Sequence, residues 1–586
     1  MPTSARRSLA ALAVGLLAAA SGTFAADKDA PPREPPKPKA DDAARSVHVP
    51  PLARGAAAQT QKINELLAKA WADNRIRPSA RATDYEFLRR AYLDLIGRIA
   101  TPAEVRYFEM NRDRVKLIHR LLYDKVKIEG HEYDYPEEFA KNWANIWTVW
   151  LLTRSANPVY QDQMRVWLEE YFAKGGSHKE MVEKLLTATG KTNDNGAVNF
   201  ILRHLGEPQE GGQPTKDGHF DAVPVTSRTT RLFLGLQTQC VQCHDHPFNP
   251  DWKQSNFWGV NVFFRQVDRE PRMLGRQRNT TDAPVLTLKD DPTANDEAIV
   301  AYEKRNGMVP YTKAVFLDGR KVNLQNESRS RRQVLADLVT SHDLFPKAYV
   351  NRIWGHLFGR GMNEQPAVDD FGEHNKVVHL ELLDYLAKQF AAETPDYAAN
   401  PYNAYDPKKL LFWVCTSEAY GLSSQPNATN DKPEADVFFS RMLLKAMTPE
   451  ELFESLATAT EGKVEKLTEE RKKRREEWVK KLVVNFGDDE GNEITFNGTL
   501  LQALMLMNGK ELSQAIKSPD KGTLFEAMKK GKGNPNRVVE ELYLAALNRR
   551  PGPEMSRLRQ HMRGDPNFYV DLFWALLNSN EFILNH

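Results

Sequence analysis

The sequence predicts a mainly α-helical protein with two helical domains, at residues 59–283 and 326–586, and a small β element between them at residues 284–325. Three observations predict this architecture. Apolar residues recur at helical spacing in both halves. Helix-capping residues flank several of these stretches. Alternating apolar residues, which are typical of strands, are concentrated between about Pro284 and Val322.

In the first half, the clearest helix runs from Asp84 to Gly97, and Gly97 suits its end. Its apolar stripe consists of Phe87, Leu88, Ala91, Tyr92 and Leu95. Thr101, Pro102 and Glu104 have the pattern of an N-cap and first turn, so another helix is expected there. A later aromatic stripe is interpreted as core packing rather than a cofactor wall, and it contains Trp143, Ile146, Trp147 and Trp150.

A polar, Gly-rich stretch from Asn193 to Val225 is predicted as a long loop. A helix from Thr229 to Gln237 then leads into a pair of cysteines. Beyond the cysteines lies a dense apolar cluster, which is expected either to shield a bound group or to close the core. Its members are Trp252, Phe257, Trp258, Val260, Val262, Phe263 and Phe264.

The second half opens with a predicted helix from Arg331 to Thr340. A further helix has one apolar face, formed by Val350, Ile353, Trp354, Leu357 and Phe358. Asp369 and Asp370 are predicted to form structural ion pairs with Arg352 or Arg360. Cys415 lies in an apolar helix and is interpreted as a buried, inert thiol. The mixed-charge run near residues 461–481 is interpreted as a solvated insertion.

The N-terminus has the pattern of a secretory signal peptide over residues 1–26. Arg6 and Arg7 form its charged start, and a short apolar run extends from Leu9 to Ala20. Residues 27–58 are rich in Pro and Ala and are predicted to be a disordered linker. The mature protein is therefore expected in the periplasm or at the cell surface, with no transmembrane segment left after cleavage.

The charge balance argues against nucleic-acid binding. The chain has 80 basic and 78 acidic residues and a net charge of +2. A nucleic-acid-binding protein would instead concentrate a basic excess on one element. No nucleophile elbow and no Gly-rich phosphate loop is present, so no hydrolase or transferase activity is predicted.

The strongest chemical signal is Cys240-Val-Gln-Cys243-His244, which contains two of the three cysteines of the chain. Thiols three residues apart face one side of a helical turn. Two such thiols can bind the two vinyl groups of one porphyrin edge, while the adjacent imidazole binds the iron. The pattern therefore predicts covalently attached haem c, with Cys240 and Cys243 as anchors and His244 as axial ligand.

Other interpretations of the motif remain open. Zinc is the alternative metal, held by Cys240, Cys243, His244 and His246, although adjacent residues seldom bind one metal with good geometry. A disulfide between Cys240 and Cys243 is also compatible with an exported chain. In these cases the protein is expected to be a structural or interaction protein, with the motif as a zinc or disulfide staple.

The chain also contains an internal similarity. The segment from Tyr92 to Glu104 resembles the segment from Tyr543 to Glu554, and a helix of similar composition follows each of them. We hypothesise that one helix–turn–helix unit is used twice, with the two copies packed against each other.

Several longer motifs carry a family resemblance. The stretch from Arg89 to Gly97, the stretch from Phe233 to Phe248 around the cysteines and Phe257-Trp-Gly resemble the planctomycete cytochrome-like domain of unknown function (PSCyt type). The stretch from Val350 to Gly361, Val368-Asp-Asp-Phe-Gly372, the stretch from His379 to Leu386 and the C-terminal end are similar to its companion domain (PSD type).

The resemblance implies a cytochrome-like role through the same three residues, Cys240, Cys243 and His244. An exported redox or electron-transfer protein with a redox partner protein is therefore expected. The sequence does not choose the sixth iron ligand, and the candidates are Met273, Met362, His356 and His374.

Overall fold

The computed structural model describes residues 57–209, 217–246, 252–273, 283–395, 401–461, 521–562 and 567–586, with five further residues between 462 and 520. The predicted signal peptide, the linker up to residue 56 and most of the charged run at 461–481 lie outside the described residues.

The fold is mainly α with a few short antiparallel strands, as predicted. The helices before the β element are α1 (Ala58–Asp73), α2 (Asp84–Ile96), α3 (Pro102–Glu109), α4 (Arg114–Tyr123), α5 (Tyr135–Leu152), α6 (Pro158–Ala173), α7 (His178–Thr187), α8 (Val198–Arg203), α9 (Val223–Leu234) and α10 (Gln254–Asn261). The later helices are α11 (Arg331–Thr340), α12 (Leu344–Phe358), α13 (Leu380–Ala391), α14 (Pro407–Cys415), α15 (Pro449–Glu461), α16 (Thr523–Gly531), α17 (Pro535–Leu547), α18 (Glu554–His561), α19 (Phe568–Leu577) and α20 (Asn580–Ile583).

Short strands form small antiparallel sheets between the helices. The strands are β1 (Lys125–Ile128), β2 (His131–Asp134), β3 (Gly190–Lys191), β4 (Val267–Glu270), β5 (Thr287–Asp290), β6 (Ile299–Ala301), β7 (Tyr311–Lys313), β8 (Thr394–Pro395), β9 (Pro401–Tyr402), β10 (Lys445–Ala446) and β11 (Leu584–Asn585). The strands β5, β6 and β7 lie where the β element is predicted. β5 is the centre of a three-stranded sheet with β3 and β4, which connects the β element to the preceding half.

The predicted caps are confirmed at Gly97, which ends α2, and at Thr101, which begins α3. Thr83 and Glu86 form a capping box at the start of α2, and Thr101 and Glu104 form another at the start of α3. Gly97 ends α2 with φ of +72°, a conformation that glycine adopts without steric cost. These local interactions fix the sharp turn between α2 and α3.

The stretch predicted as a loop from Asn193 to Val225 contains the short helix α8. Its apolar residues Val198, Phe200, Ile201 and Leu202 are buried in the core. The prediction of a continuous loop was wrong here because this short apolar run is surrounded by polar and Gly-rich sequence that masks its periodicity.

The hydrophobic interior consists of two clusters in the described part of the chain. The larger cluster extends from Ile63 to Met442 and also includes Leu544. It contains the predicted aromatic stripe, in which Trp143, Trp147 and Trp150 are each 1% exposed. The second cluster joins helices α15 to α20, and Leu93 and Ile99 of the first half pack into it.

The hypothesised repeat has matching local structure at both ends of the chain. In the first copy, Arg98 lies 5.5 Å from the centre of the Tyr92 ring and 2.8 Å from Glu104. In the second, Arg549 lies 5.4 Å from the Tyr543 ring centre and 2.7 Å from Glu554. The helix-ending residues also match, because Asn548 has a left-handed φ of +56° where the first copy has glycine.

The two copies also contact each other. The side-chain amide of Asn548 donates a hydrogen bond of 2.6 Å to the carbonyl of Ala100 and accepts one of 3.2 Å from the Ala100 N–H. The Arg89 guanidinium donates to the carbonyl of Ala546. These contacts support the hypothesis that one helix–turn–helix unit is used twice and packs against its own copy.

Candidate functional site

The cysteine motif lies on a short 3₁₀ turn that follows α9. Helix α9 ends at Gly235, and the turn covers Thr238–Gln242. The hydroxyl oxygens of Thr230 and Thr238 are 2.7 Å apart, so the turn is tied to the helix. Cys240 and Cys243 are both exposed and both free thiols. Because a 3₁₀ turn has about three residues per turn, residues three apart are aligned along it. The predicted presentation of both thiols on one side is compatible with this turn.

The turn rests on α10 and its flanking residues. The carbonyl of Gln242 accepts hydrogen bonds from the indole N–H of Trp258, at 3.1 Å, and from the side-chain amide of Gln254, at 3.0 Å. Val241 is buried with 2% of its surface exposed. Most of the apolar cluster after the motif is buried in the core, which is the second of the two expectations for it. The cluster packs beneath the turn, and the two thiols remain exposed.

His244 is half-buried, and its ring orientation is set by the backbone. Its Nδ1 lies 2.7 Å from the carbonyl oxygen of Asp245. A carbonyl can only accept a hydrogen bond, so Nδ1 carries the proton of a neutral ring and donates it. Nε2 then has a lone pair for a ligand. Metal-binding histidines commonly have this arrangement, in which the other ring nitrogen donates to a carbonyl or carboxylate.

His246 contacts the second half of the chain through His374. Its ring centre is 4.9 Å from that of His374 and 5.4 Å from that of Trp252. The Nε2 of His374 is 2.9 Å from the Oδ1 of Asp370. Burial, and then the neighbouring His374, lower the pKa of His246. His246 is therefore neutral at pH 7, and its contacts join the motif loop to the segment around Asp370.

An ion-pair cluster beside these histidines also bridges the two halves. The Oδ2 of Asp369 accepts from Arg231 of α9 at 2.8 Å and from Arg352 of α12 at 3.3 Å. The predicted pair between Asp369 and Arg352 is thus confirmed, whereas Arg360 donates to backbone carbonyls instead. Arg231 was not predicted to take part. Its place on the helix that leads into the motif is the only sequence signal for it.

The backbone of the two halves is joined at Gly235. The N–H of Phe371 donates a hydrogen bond of 2.8 Å to the carbonyl of Gly235. Gly235 has φ of +68°, and a Cβ at this position would lie 2.6 Å from the Phe371 ring. The close approach of the motif segment to Phe371 therefore requires glycine here.

Gly235→Ala is expected to destabilise the protein by about 3 kcal/mol, because a left-handed non-glycine residue and a steric clash add together. The matched control is Gly307→Ala, where φ is +80° and no atom lies within 4 Å of the added Cβ. That variant should lose only about 1–2 kcal/mol, from the backbone term alone. Urea unfolding of both variants measures the difference, and equal losses would contradict the close packing at Gly235.

The four candidate sixth ligands lie in different environments. Met273 is 76% exposed, and Met362 is fully buried in the core. His356 is also buried, with its ring centre 5.4 Å from that of Trp143 and 5.7 Å from that of Trp150. His374 contacts the motif through His246. Of these four side chains, His374 therefore has a direct contact with the motif loop.

The residues of the motif fit covalent attachment of haem c. Two accessible thiols at the required spacing and an imidazole with its Nδ1 proton fixed are the donors that this attachment needs. In the part of the chain that the structure describes, no group of three or more His, Cys, Asp or Glu side chains is arranged to hold a metal ion. The zinc ligand set of Cys240, Cys243, His244 and His246 is therefore not gathered in this conformation.

The third cysteine is separate from the motif. Cys415 is fully buried in α14, and burial raises the pKa of its thiol. It was predicted to be a buried thiol, and its burial is confirmed. Within the described ranges, every helix is too short or too polar to span a lipid bilayer.

Comparison with protein families identifies two consecutive matches. Residues 62–269 match the PSCyt2 model, described as a protein of unknown function (DUF1549). Residues 331–495 match the PSD1 model, described as a protein of unknown function (DUF1553). No curated protein and no solved structure matches the chain significantly. The resemblance to the two domain types, in this order, is confirmed.

Proposed function

We propose that this chain, which carries a PSCyt2 domain followed by a PSD1 domain, is an exported redox or electron-transfer protein with covalently attached haem c. Cys240 and Cys243 are the thioether anchors, and His244 is the axial ligand. The observation that carries this proposal is the pair of exposed thiols beside an imidazole whose Nδ1 proton is held by the Asp245 carbonyl.

The chain's own residues would position and tune such a site. When bound, haem c supplies an iron that gains or loses one electron. The 3₁₀ turn and the residue that follows it place the two thiols at the surface, and the Nδ1–H donation of His244 orients its Nε2. Neutral His246 and the hydrogen-bonded pair of Asp370 and His374 border the motif and affect its polarity. The accessible position of the thiols suits electron exchange with a redox partner protein.

Export to the periplasm or cell surface belongs to the same proposal. Its support is the N-terminal pattern of Arg6, Arg7 and the apolar run from Leu9 to Ala20. The chain would then meet haem-attachment machinery outside the cytoplasm, where the motif is usable.

A second candidate is a periplasmic or cell-surface structural or interaction protein, with a zinc or disulfide staple at the motif. The observation that favours it is the extensive contact between the motif segment and the PSD1 domain through Asp369, Phe371 and His374. In that case the staple would fix the conformation of the motif loop, and this loop would contact the second domain through the residues named above.

The deciding experiment expresses the full chain in a periplasm that contains haem-maturation machinery. We expect a haem-stained band on a denaturing gel and a pyridine haemochrome spectrum of haem c. Cys240→Ala and Cys243→Ala should each lower covalent haem severalfold or more, because each removes one thioether anchor. Cys415→Ala is the matched control and should retain haem, since this thiol is buried away from the surface.

Two other outcomes would contradict the haem proposal. A colourless full-length protein from the competent strain, with zinc in elemental analysis or a Cys240–Cys243 disulfide in mass spectrometry, would contradict the haem proposal and support the staple. Loss of haem in Cys415→Ala to the same degree would also contradict the assigned anchors.

A further inference from the structure

The short sheet formed by β10 and β11 places a lysine opposite an asparagine. In the register of these antiparallel strands, Lys445 pairs directly with Asn585. Residues directly opposite each other in an antiparallel pair lie on the same face of the sheet, with Cβ atoms about 4.5–5.5 Å apart. The Lys445 side chain is 17% exposed, and Asn585 is 4% exposed. An amine and a carboxamide are therefore neighbours in a largely buried site.

One carboxylate oxygen joins the two side chains. Asp94 of α2 is 1% exposed, and its Oδ1 accepts a hydrogen bond of 3.0 Å from Lys445 Nζ and one of 2.8 Å from Asn585 Nδ2. The other oxygen, Oδ2, accepts a hydrogen bond of 2.7 Å from the Tyr420 hydroxyl, which holds the carboxylate in place. The site thus combines an amine, an amide and a carboxylate that can carry a proton between them.

The other contacts of Lys445 orient its nitrogen. Nζ also donates to the carbonyls of His356 and Leu357 at 2.8 and 2.9 Å. When the third proton passes to Asp94 Oδ1, the two remaining N–H groups stay on these carbonyls. The lone pair of the neutral amine then points along the former bond to Asp94, where the Asn585 amide also lies. The neutral amine is the nucleophilic form of lysine.

The oxygen of the Asn585 amide has no partner among the described residues. Asn585 Oδ1 is buried and accepts no hydrogen bond there, although buried polar atoms are normally paired. The two ends of a carboxamide have nearly the same shape, so a half-turn of the group exchanges Oδ1 with Nδ2 within the same space. Protonated Asp94 then donates to Oδ1, which draws electrons away from Cγ and favours attack on it.

We propose that Lys445 and Asn585 form an intramolecular isopeptide bond, with Asp94 as the catalytic acid and base. The lone pair of Nζ attacks Cγ of Asn585 and forms the Nζ–Cγ bond. Asp94 gives a proton to the amide nitrogen and takes one from the attacking amine, so the Cγ–Nδ2 bond breaks and one ammonia molecule leaves. An amine and an amide thus become an amide and ammonia, and no group is oxidised or reduced.

The surroundings suit a reaction that needs no other enzyme. Groups held side by side react as if each were present at an effective concentration of ~10⁵–10⁸ M. A cavity of about 200 Å³, which both Lys445 and Asn585 line, gives the released ammonia space beside the new bond. The bond closes residues 446–584, which include helices α15 to α20, into one covalent loop. Cross-links that close long loops restrict the unfolded chain most.

The test is a peptide map of the full chain, denatured and digested with trypsin. Trypsin cleaves after free lysine and arginine, and an acylated Lys445 resists it. We expect tandem mass spectrometry to find one branched peptide, which joins residues 442–463 to residues 564–586 and is lighter than their sum by one ammonia. Asp94→Asn keeps the size of the side chain but cannot carry the proton, so it should lower the yield of this peptide about tenfold or more. Lys445→Arg should lack it.

The matched control changes a lysine outside the site. Lys408→Arg alters a half-buried lysine whose Nζ donates to the carbonyl of Leu122, and it should retain the branched peptide. Complete cleavage after Lys445 in the wild type, with an unmodified peptide 564–586, would overturn the proposal without the need for any variant. A wild-type yield of branched peptide in Asp94→Asn would also overturn it, since the assigned acid and base would then have no part in the reaction.

Discussion

Arg98→Met is expected to lower the free energy of unfolding by about 3–5 kcal/mol, because it leaves buried carboxylates without their cation. The Arg98 side chain is 4% exposed and pairs with both Glu104 and Glu138, whose side chains are 0% and 15% exposed. Burial is the main cause that raises the pKa of Glu138, the neighbouring Glu104 adds to it, and Arg98 opposes both effects. Without the guanidinium, both acids must either remain charged in the interior or take up protons.

The internal repeat supplies a matched control for this variant. Arg549 has the corresponding position in the second copy and pairs with Glu554 and Glu581, but its side chain is 29% exposed. Water can therefore replace part of its interaction, and Arg549→Met should cost only about 1 kcal/mol. Urea unfolding of both variants measures the contrast. Equal losses of unfolding free energy would show that burial does not determine how strongly these arginine ion pairs stabilise the fold.

The local features of this structure, such as helix ends and turns, were predictable from the sequence. Gly97 and Thr101 act on residues within one turn of themselves, so their positions alone predict where α2 ends and where α3 begins. The repeat was visible for the same reason, since a turn and its flanking helices are encoded in one continuous segment. The exposed motif was predictable in its residues, although a 3₁₀ turn was not distinguished from an α-helical one.

The contacts that surround the motif were not predictable in this way. Asp369 joins Arg231 and Arg352, and His246 meets His374, across separations of more than a hundred residues in two of these pairs. Such partners are chosen by how helices pack, and a single sequence carries no direct record of that packing. Only the short-range pair of Asp369 with Arg352 was within reach, because both lie in one compact segment.

The hydrogen-bond network around Asp94 illustrates the same limit more strongly. The Asp94 carboxylate accepts from Tyr420 at 2.7 Å, from Lys445 at 3.0 Å and from Asn585 at 2.8 Å. These residues come from four separate parts of the chain, and each is unremarkable in its own segment. Together they form a buried network of hydrogen bonds and ion pairs. Through Asn585, this network holds the C-terminal strand β11 against α2.

Glu451→Gln is expected to stabilise the protein above pH 7, with little effect near pH 4.5. Burial is the main cause that raises the pKa of Glu451 from 4.5 to about 7, and nearby Asp94 adds to it against the opposing effects of Lys445 and Thr448. Between these two values the unfolded chain releases the proton while the folded chain keeps it, so stability falls as pH rises. At about 1.4 kcal/mol for each pH unit, the loss reaches about 3 kcal/mol above pH 7.

Glutamine cannot ionise, and it can still accept the hydrogen bond from the Thr448 N–H that Glu451 accepts at 2.8 Å. Glu450→Gln is the neighbouring control with the opposite expected sign. Burial alone would raise the pKa of Glu450, but Arg154 holds it below its usual value, so this carboxylate stabilises the fold once it is ionised. Thermal unfolding across about pH 3 to 8 should therefore show Glu451→Gln gaining stability over the wild type between about pH 4.5 and 7, whereas the deficit of Glu450→Gln develops as pH rises toward about 4.5 and stays constant above it. A parallel response of the two variants would mean that Glu451 is ionised without cost in the folded protein.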